Sequence, residues 1–109
     1  MSISPTPRPP YIAVIFSNQR EEVDEKGYAQ TADEMVALAS KQDGYLGIES
    51  VRDETGFGIT VSYWRDEDAI KNWKANADHQ AAQKAGRKTW YRAYKTRIST
   101  VTRDYGLGD

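Results

Sequence analysis

With 109 residues the chain has room for one core and none for a second domain. Charged residues make up 28% and hydrophobic ones 39%, the balance of a globular domain with a modest core, and a net charge of −1 gives no global attraction to nucleic acid. Cysteine is absent and histidine occurs once, as His79, which excludes disulfides, thiolate nucleophiles, iron–sulfur clusters and Cys-ligated zinc, and argues against a protein-held metal.

The first ten residues hold Pro5, Pro7, Pro9 and Pro10, so residues 1–10 read as a stiff but flexibly attached extended tail outside the core. They lack the apolar stretch of a secretory signal, and no apolar run approaches the ~20 residues a bilayer span needs. A cytoplasmic address without membrane contact is the expectation.

Tyr11 to Asn18 is β-branched, aromatic and nearly continuous in apolarity, the pattern of a central strand. Arg20 to Lys26 carries Glu21, Glu22, Asp24 and Glu25 and reads as a solvated connection. From Gly27 to Gln42 the apolar positions Tyr28, Ala32, Met35, Val36 and Ala39 fall on one stripe of a helix, and Gly44 follows as its stop signal. Tyr45 to Val51 and Phe57 to Trp64 predict two strands, joined as a hairpin by the polar link Arg52 to Gly56.

Asp66 is placed to cap a second helix, with Glu67 and Asp68 in its first turn and Ala69, Ile70, Trp73 and Ala77 as its buried stripe. A further helical piece is expected from about Asp78, with His79, Ala82, Gly86 and Trp90 on its inward side. Tyr91 to Val101 predicts a fourth strand, and residues 104–109 a frayed tail.

The order strand, helix, strand, strand, helix, strand predicts an α+β, ferredoxin-like βαββαβ domain over residues 11–103: a four-stranded antiparallel sheet with both helices on one face. The first strand is apolar on both faces, Ile12, Val14 and Phe16 against Ala13 and Ile15, so the bare face needs cover. A second copy stacked sheet to sheet is the simplest cover, and a homodimer is expected.

The stretch from Ser62 through Tyr63, Trp64, Arg65, Asp66, Glu67, Asp68, Ala69 and Ile70 to Trp73, continuing to His79, resembles the signature of antibiotic biosynthesis monooxygenase domains of the dimeric α+β barrel superfamily. Gln42 to Glu49, with Gly44, Tyr45, Leu46 and Gly47, is similar to that family's entry into its second strand. The resemblance covers roughly residues 11–103. It implies a dimeric α+β barrel whose best-known members oxygenate polycyclic aromatic phenols with molecular oxygen and no metal, flavin or other cofactor.

On that resemblance the expected ligand is a small aromatic or quinol-like molecule, and the residues offer candidates for each role. His79, the only side chain titrating near neutrality, is the candidate general base toward a phenol, or else a histidine with a structural place on the helix. A phenolate or enolate passes an electron to triplet oxygen far more readily than the neutral phenol. Asn18, closing the first strand, is placed to orient a substrate oxygen or dioxygen. Trp73 is either core or a wall of the site. Tyr63 and Trp90 belong to an aromatic set with Trp64, Tyr91 and Tyr94, which is core or the wall of a planar-ligand pocket that Tyr28 closes from the first helix. From Lys84 to Arg103 there are seven basic residues and no acid, read as a solvated face, within which Arg87 is a candidate for stabilising a substrate oxyanion.

Haem-degrading relatives use an Asn on the first strand, a Trp on the second helix and a later His. Asn18 and Trp73 match loosely, but Gln83 stands where that His is expected, which counts against haem. Gly56-Phe57-Gly58 lacks the third glycine and the strand-to-helix setting of a dinucleotide fingerprint. The alternative from another class is a non-catalytic small-molecule binder on the same scaffold, and haem binding or degradation is the third reading.

Overall fold

The computed structural model describes residues 3–23, 25–83 and 90–108, with residues 78–83 described by their backbone alone. Six elements follow in order: β1 (Tyr11–Arg20), α1 (Glu25–Ser40), β2 (Tyr45–Arg52), β3 (Phe57–Trp64), α2 (Glu67–Gln83) and β4 (Tyr91–Val101). The sheet runs β2-β3-β1-β4 and every neighbouring pair is antiparallel, so the chain has the ferredoxin-like α+β fold. No helix among the described residues is long and apolar enough to cross a membrane.

Because β1 is paired on both sides, its side chains are sorted between the two faces of the sheet. Ile12 belongs to the buried cluster with Ala39 of α1, Trp64 of β3 and Ala69 and Ile70 of α2, against which Val14, Tyr45 and Trp73 pack. The even positions of β1, from Ile12 through Val14, Phe16 and Asn18 to Arg20, therefore face the helices, and the odd ones face away. Trp64 is fully buried at the centre of this core. It stacks on Trp73 with ring centroids 5.7 Å apart and planes 20° from parallel, meets the edge of Tyr45 at 5.6 Å, and donates its indole N–H to Ser62 Oγ at 2.9 Å.

Both turn-and-cap features act as their chemistry demands. Gly44 sits at φ +88°, and a Cβ there would lie 2.6 Å from that of Ala69, so only glycine lets α2 pack this close to the end of α1. Asp66 Oδ1 accepts the Ala69 N–H at 2.9 Å and caps α2. In the hairpin, Asp53 Oδ1 accepts from the backbone N–H groups of Thr55 and Phe57 while Gly56 takes φ +90°.

Four details differ from the sequence pattern. β1 extends to Arg20 and α1 begins at Glu25, because Arg20 is drawn inward rather than solvated. Val36 is 44% exposed, and Thr31 is a buried residue with Ala39 on α1, so the helix is rotated to turn Val36 outward while Tyr28, Met35 and Leu38 stay half-buried. α2 continues through Asp78 without a break to Gln83. Trp90 is not helical: it stands at the bend before β4, and its backbone carbonyl accepts from the Glu21 N–H at 2.8 Å.

The second face of the sheet carries Tyr11, Ala13, Tyr63, Val61 and Ile59. Part of the N-terminal tail lies on it. Ser4 donates its N–H to Glu49 at 2.8 Å and sits where a Cβ on Gly47 would be, and Thr6 donates to the Tyr11 hydroxyl at 3.0 Å. The remainder is open, with Phe57 44% and Val51 73% exposed.

Trp64→Ala removes the largest buried ring and both its aromatic contacts; urea denaturation at 25 °C is expected to show a loss of about 3–5 kcal/mol.

Candidate functional site

Asn18 lies near the end of β1 on the helix side, registered with Gly58 of β3 and Tyr94 of β4. It is 2% exposed, and its Oδ1 has no hydrogen-bond partner among the described residues. Its amide N–H2 donates to the carbonyl of Phe16, at 3.5 Å. A buried carbonyl oxygen left unpaired costs about 1–3 kcal/mol, so an asparagine at this position destabilises the fold unless something accompanies it.

Aromatic rings surround this end of the sheet. Phe16 meets Tyr91 edge-on at 5.5 Å and Tyr94 at 5.6 Å, and Tyr28 of α1 meets Trp90 at 5.7 Å and Tyr91 at 5.9 Å. Tyr94 is 67% exposed, so the cluster opens toward β4.

Two guanidinium groups hold Tyr28. Arg20, next after Asn18 on the same face, lies 3.7 Å over the ring while donating to the Trp90 carbonyl at 2.8 Å and to Glu25 Oε1 at 2.9 Å. Arg52 donates to the Tyr28 hydroxyl at 2.9 Å. Arg20 thus ties the end of β1, the start of α1 and the entry to β4 together, which is why it is buried although charged.

The structure therefore brings Asn18, Tyr28 and Trp90 to one end of the helix-side face. It does not bring Tyr63 there. Tyr63 registers with Ala13 on the opposite face, packs edge-on against Tyr11 at 6.0 Å, and donates its hydroxyl to Glu49 Oε1 at 2.6 Å. Trp73 spends its ring on Trp64, and its place is the core beside Ile70. His79 lies on α2 with its side chain outside the described residues, and Arg87 lies outside them altogether.

Sequence reasoning missed Phe16, Arg20 and Arg52. The signal for Arg20 was its even spacing from Ile12 along a strand two residues longer than its apolar run; for Arg52 it was the hairpin register, which sets it opposite a glycine. Among the described residues no cluster of His, Cys, Asp and Glu side chains could hold a metal ion.

A family model, "Antibiotic biosynthesis monooxygenase", matches residues 10–85. The chain belongs to that family. "Uncharacterized protein YqjZ" of Bacillus subtilis is 52% identical over 101 residues, 93% of this chain and 88% of its own length. "Jasmonate monooxygenase ABM" of Pyricularia oryzae is 30% identical over 94 residues, 83% of this chain, and this chain spans 43% of that family member. Among solved structures, SnoaB of Streptomyces nogalater, described as a cofactor-independent oxygenase, superposes with a TM-score of 0.67 over 93% of this chain and all of its own, at 12% identity. PA3566 of Pseudomonas aeruginosa does so with a TM-score of 0.67 over 91% of this chain and 99% of its own, at 16% identity. At such identities the two structures speak for the family's fold.

The opposite face has a measurable signature. Burial, with the Glu49 carboxylate adding to it, pushes the Tyr63 hydroxyl up to about 12. A folded-state value above the ordinary one of about 10 means stability fully present below pH 10 and lost as pH rises toward 12. Thermal melts between pH 9 and pH 12 should show a steeper loss for the native chain than for Tyr63→Phe, whose curve lacks this titration.

Proposed function

We propose that the protein is a cofactor-independent monooxygenase acting on a small aromatic or quinol-like metabolite, with molecular oxygen as co-substrate. The observation that carries this reading is Asn18: a buried amide oxygen with no partner among the described residues, near a cluster of aromatic rings, in a chain of this family. An unpaired acceptor at a site with planar apolar walls suits a ligand that brings its own O–H or N–H.

The chemistry asks little of the protein. A base removes a proton from the phenol or from the carbon acid beside a carbonyl, and His79 on α2 is the group proposed for it. The resulting anion gives one electron to triplet oxygen, the radical pair closes a carbon–oxygen bond, and the peroxide so formed loses water to leave a quinone. One oxygen atom is retained, the other leaves in water, and the substrate supplies every electron. Asn18 would hold the substrate oxygen so that the anion forms where oxygen reaches it.

Oxygen uptake with a panel of anthrones and naphthoquinols tests the reading. His79→Ala is expected to abolish uptake. Asn18→Leu, close in shape, should lower turnover on the order of 10²-fold while leaving the melting temperature unchanged or raised, because a structural asparagine would have been missed by the fold and this one is not. Uptake unaltered in Asn18→Leu, or absent across the panel, would overturn the assignment.

We also propose that two protomers pair through the open face, where Val51, Phe57 and Ile59 stand uncovered. Sedimentation equilibrium at micromolar concentration is expected to give a dimer, and Ile59→Glu a monomer; a monomeric native chain would rule the pairing out.

A further inference from the structure

Arg52 ends β2 opposite Gly58 of β3, and Gly58 stands opposite Asn18 of β1, so the three positions lie side by side across the sheet. The guanidinium folds back over Gly58. A Cβ built on that glycine would lie 2.8 Å from Cζ and Nη1 and 3.0 Å from Nη2 of Arg52, so the missing side chain is what makes room for the group. Two bonds fix it there: Nη1 donates to the Gly56 carbonyl at 2.7 Å and Nη2 to the Tyr28 hydroxyl at 2.9 Å.

An arginine carries five N–H donors, and these two bonds leave three. Among the described residues no carboxylate is paired with Arg52, whereas Arg20, Arg65 and Arg92 each have one. A planar cation with no carboxylate partner among the described residues, folded over the glycine that registers with Asn18, and a buried acceptor with no donor among them, offer a ligand two points of attachment.

We infer that Arg52 is a substrate-positioning residue and that the site takes planar aromatics bearing an ionised oxygen. The anionic oxygen, carboxylate or phenolate, accepts from Arg52; a neighbouring hydroxyl donates to Asn18 Oδ1; the ring lies against Phe16, Tyr91 and Tyr94. This rests on the site proposed above and adds the ligand's charge to it. Arg–carboxylate bonds are directional and about twice as strong as neutral ones, which makes charge the discriminating feature.

The test is equilibrium binding, read by quenching of tryptophan fluorescence in oxygen-free buffer, of 3-hydroxy-2-naphthoate against its neutral analogue 3-hydroxy-2-naphthamide. The native protein is expected to prefer the anion by roughly tenfold or more, about 1.4 kcal/mol. Arg52→Gln should bring the two ligands to within about twofold of each other. Gly58→Ala should do the same with the charge still present, because its methyl displaces the guanidinium. Melting curves of both variants establish that they fold.

Equal affinity of the native protein for both ligands, no binding of either at millimolar concentration, or a preference kept in folded Arg52→Gln would overturn the inference. Anion-selective binding with no oxygen uptake from any substrate sinks the oxygenase reading and leaves Arg52 in place. Uptake from neutral anthrones without anion preference does the reverse.

Discussion

The pleat of β1 is the constraint on which the rest of the molecule depends. A strand hydrogen-bonded on both sides cannot rotate its side chains between faces, so once Ile12 is committed to the core with Trp64 and Ile70, every second residue is committed with it. That single choice carries Asn18 and Arg20 to the helix side, although neither is an apolar residue seeking burial. It also sends Tyr11 and Ala13 to the other side, and through the β1–β3 register it takes Tyr63 with them.

The same pleat divides the helix-side face into two regions with different physics. At the Ile12 end the contacts are apolar: Trp64 and Trp73 stack, and the Trp64 indole N–H is taken up by Ser62. Toward the Asn18 end the apolar residues give way to aromatic rings held by cations, with Arg20 over Tyr28 and Arg52 on its hydroxyl. Burying the Arg20 charge is tolerable because the Trp90 carbonyl, the Glu25 carboxylate and the Tyr28 ring each replace part of its lost hydration. The first region gives stability. The second leaves polar capacity unspent.

Much of this is legible in the amino-acid sequence. The strands at Phe57 to Trp64 and Tyr91 to Val101, the glycine stop at Gly44 and the cap at Asp66 follow from local chemistry that the tertiary structure had no reason to override. The candidate site was legible in part: the spacing of Tyr28 put it on the inner face of α1, but the facing of Tyr63 was not readable, because β3 is apolar or aromatic at both Tyr63 and Trp64 and either could have been the inner one. Trp90 carried a helical spacing that the bend into β4 broke. Arg20 and Arg52 look like solvated charges in sequence. Only the register across three strands shows that one covers a glycine and the other is enclosed.

β4 shows how the fold manages a hazard of its own making. It is eleven residues long, it pairs only with β1 among the described residues, and Tyr94 and Ile98 stand exposed along it, which is the profile of a strand that invites endless edge-to-edge stacking. Lys95 and Arg97, flanked by Arg92, are exposed on the same strand. Two such strands meeting antiparallel with the two-fold axis at Thr96 would set Lys95 of one opposite Arg97 of the other, a like-charge juxtaposition that disfavours edge pairing while leaving the pairing with β1 intact.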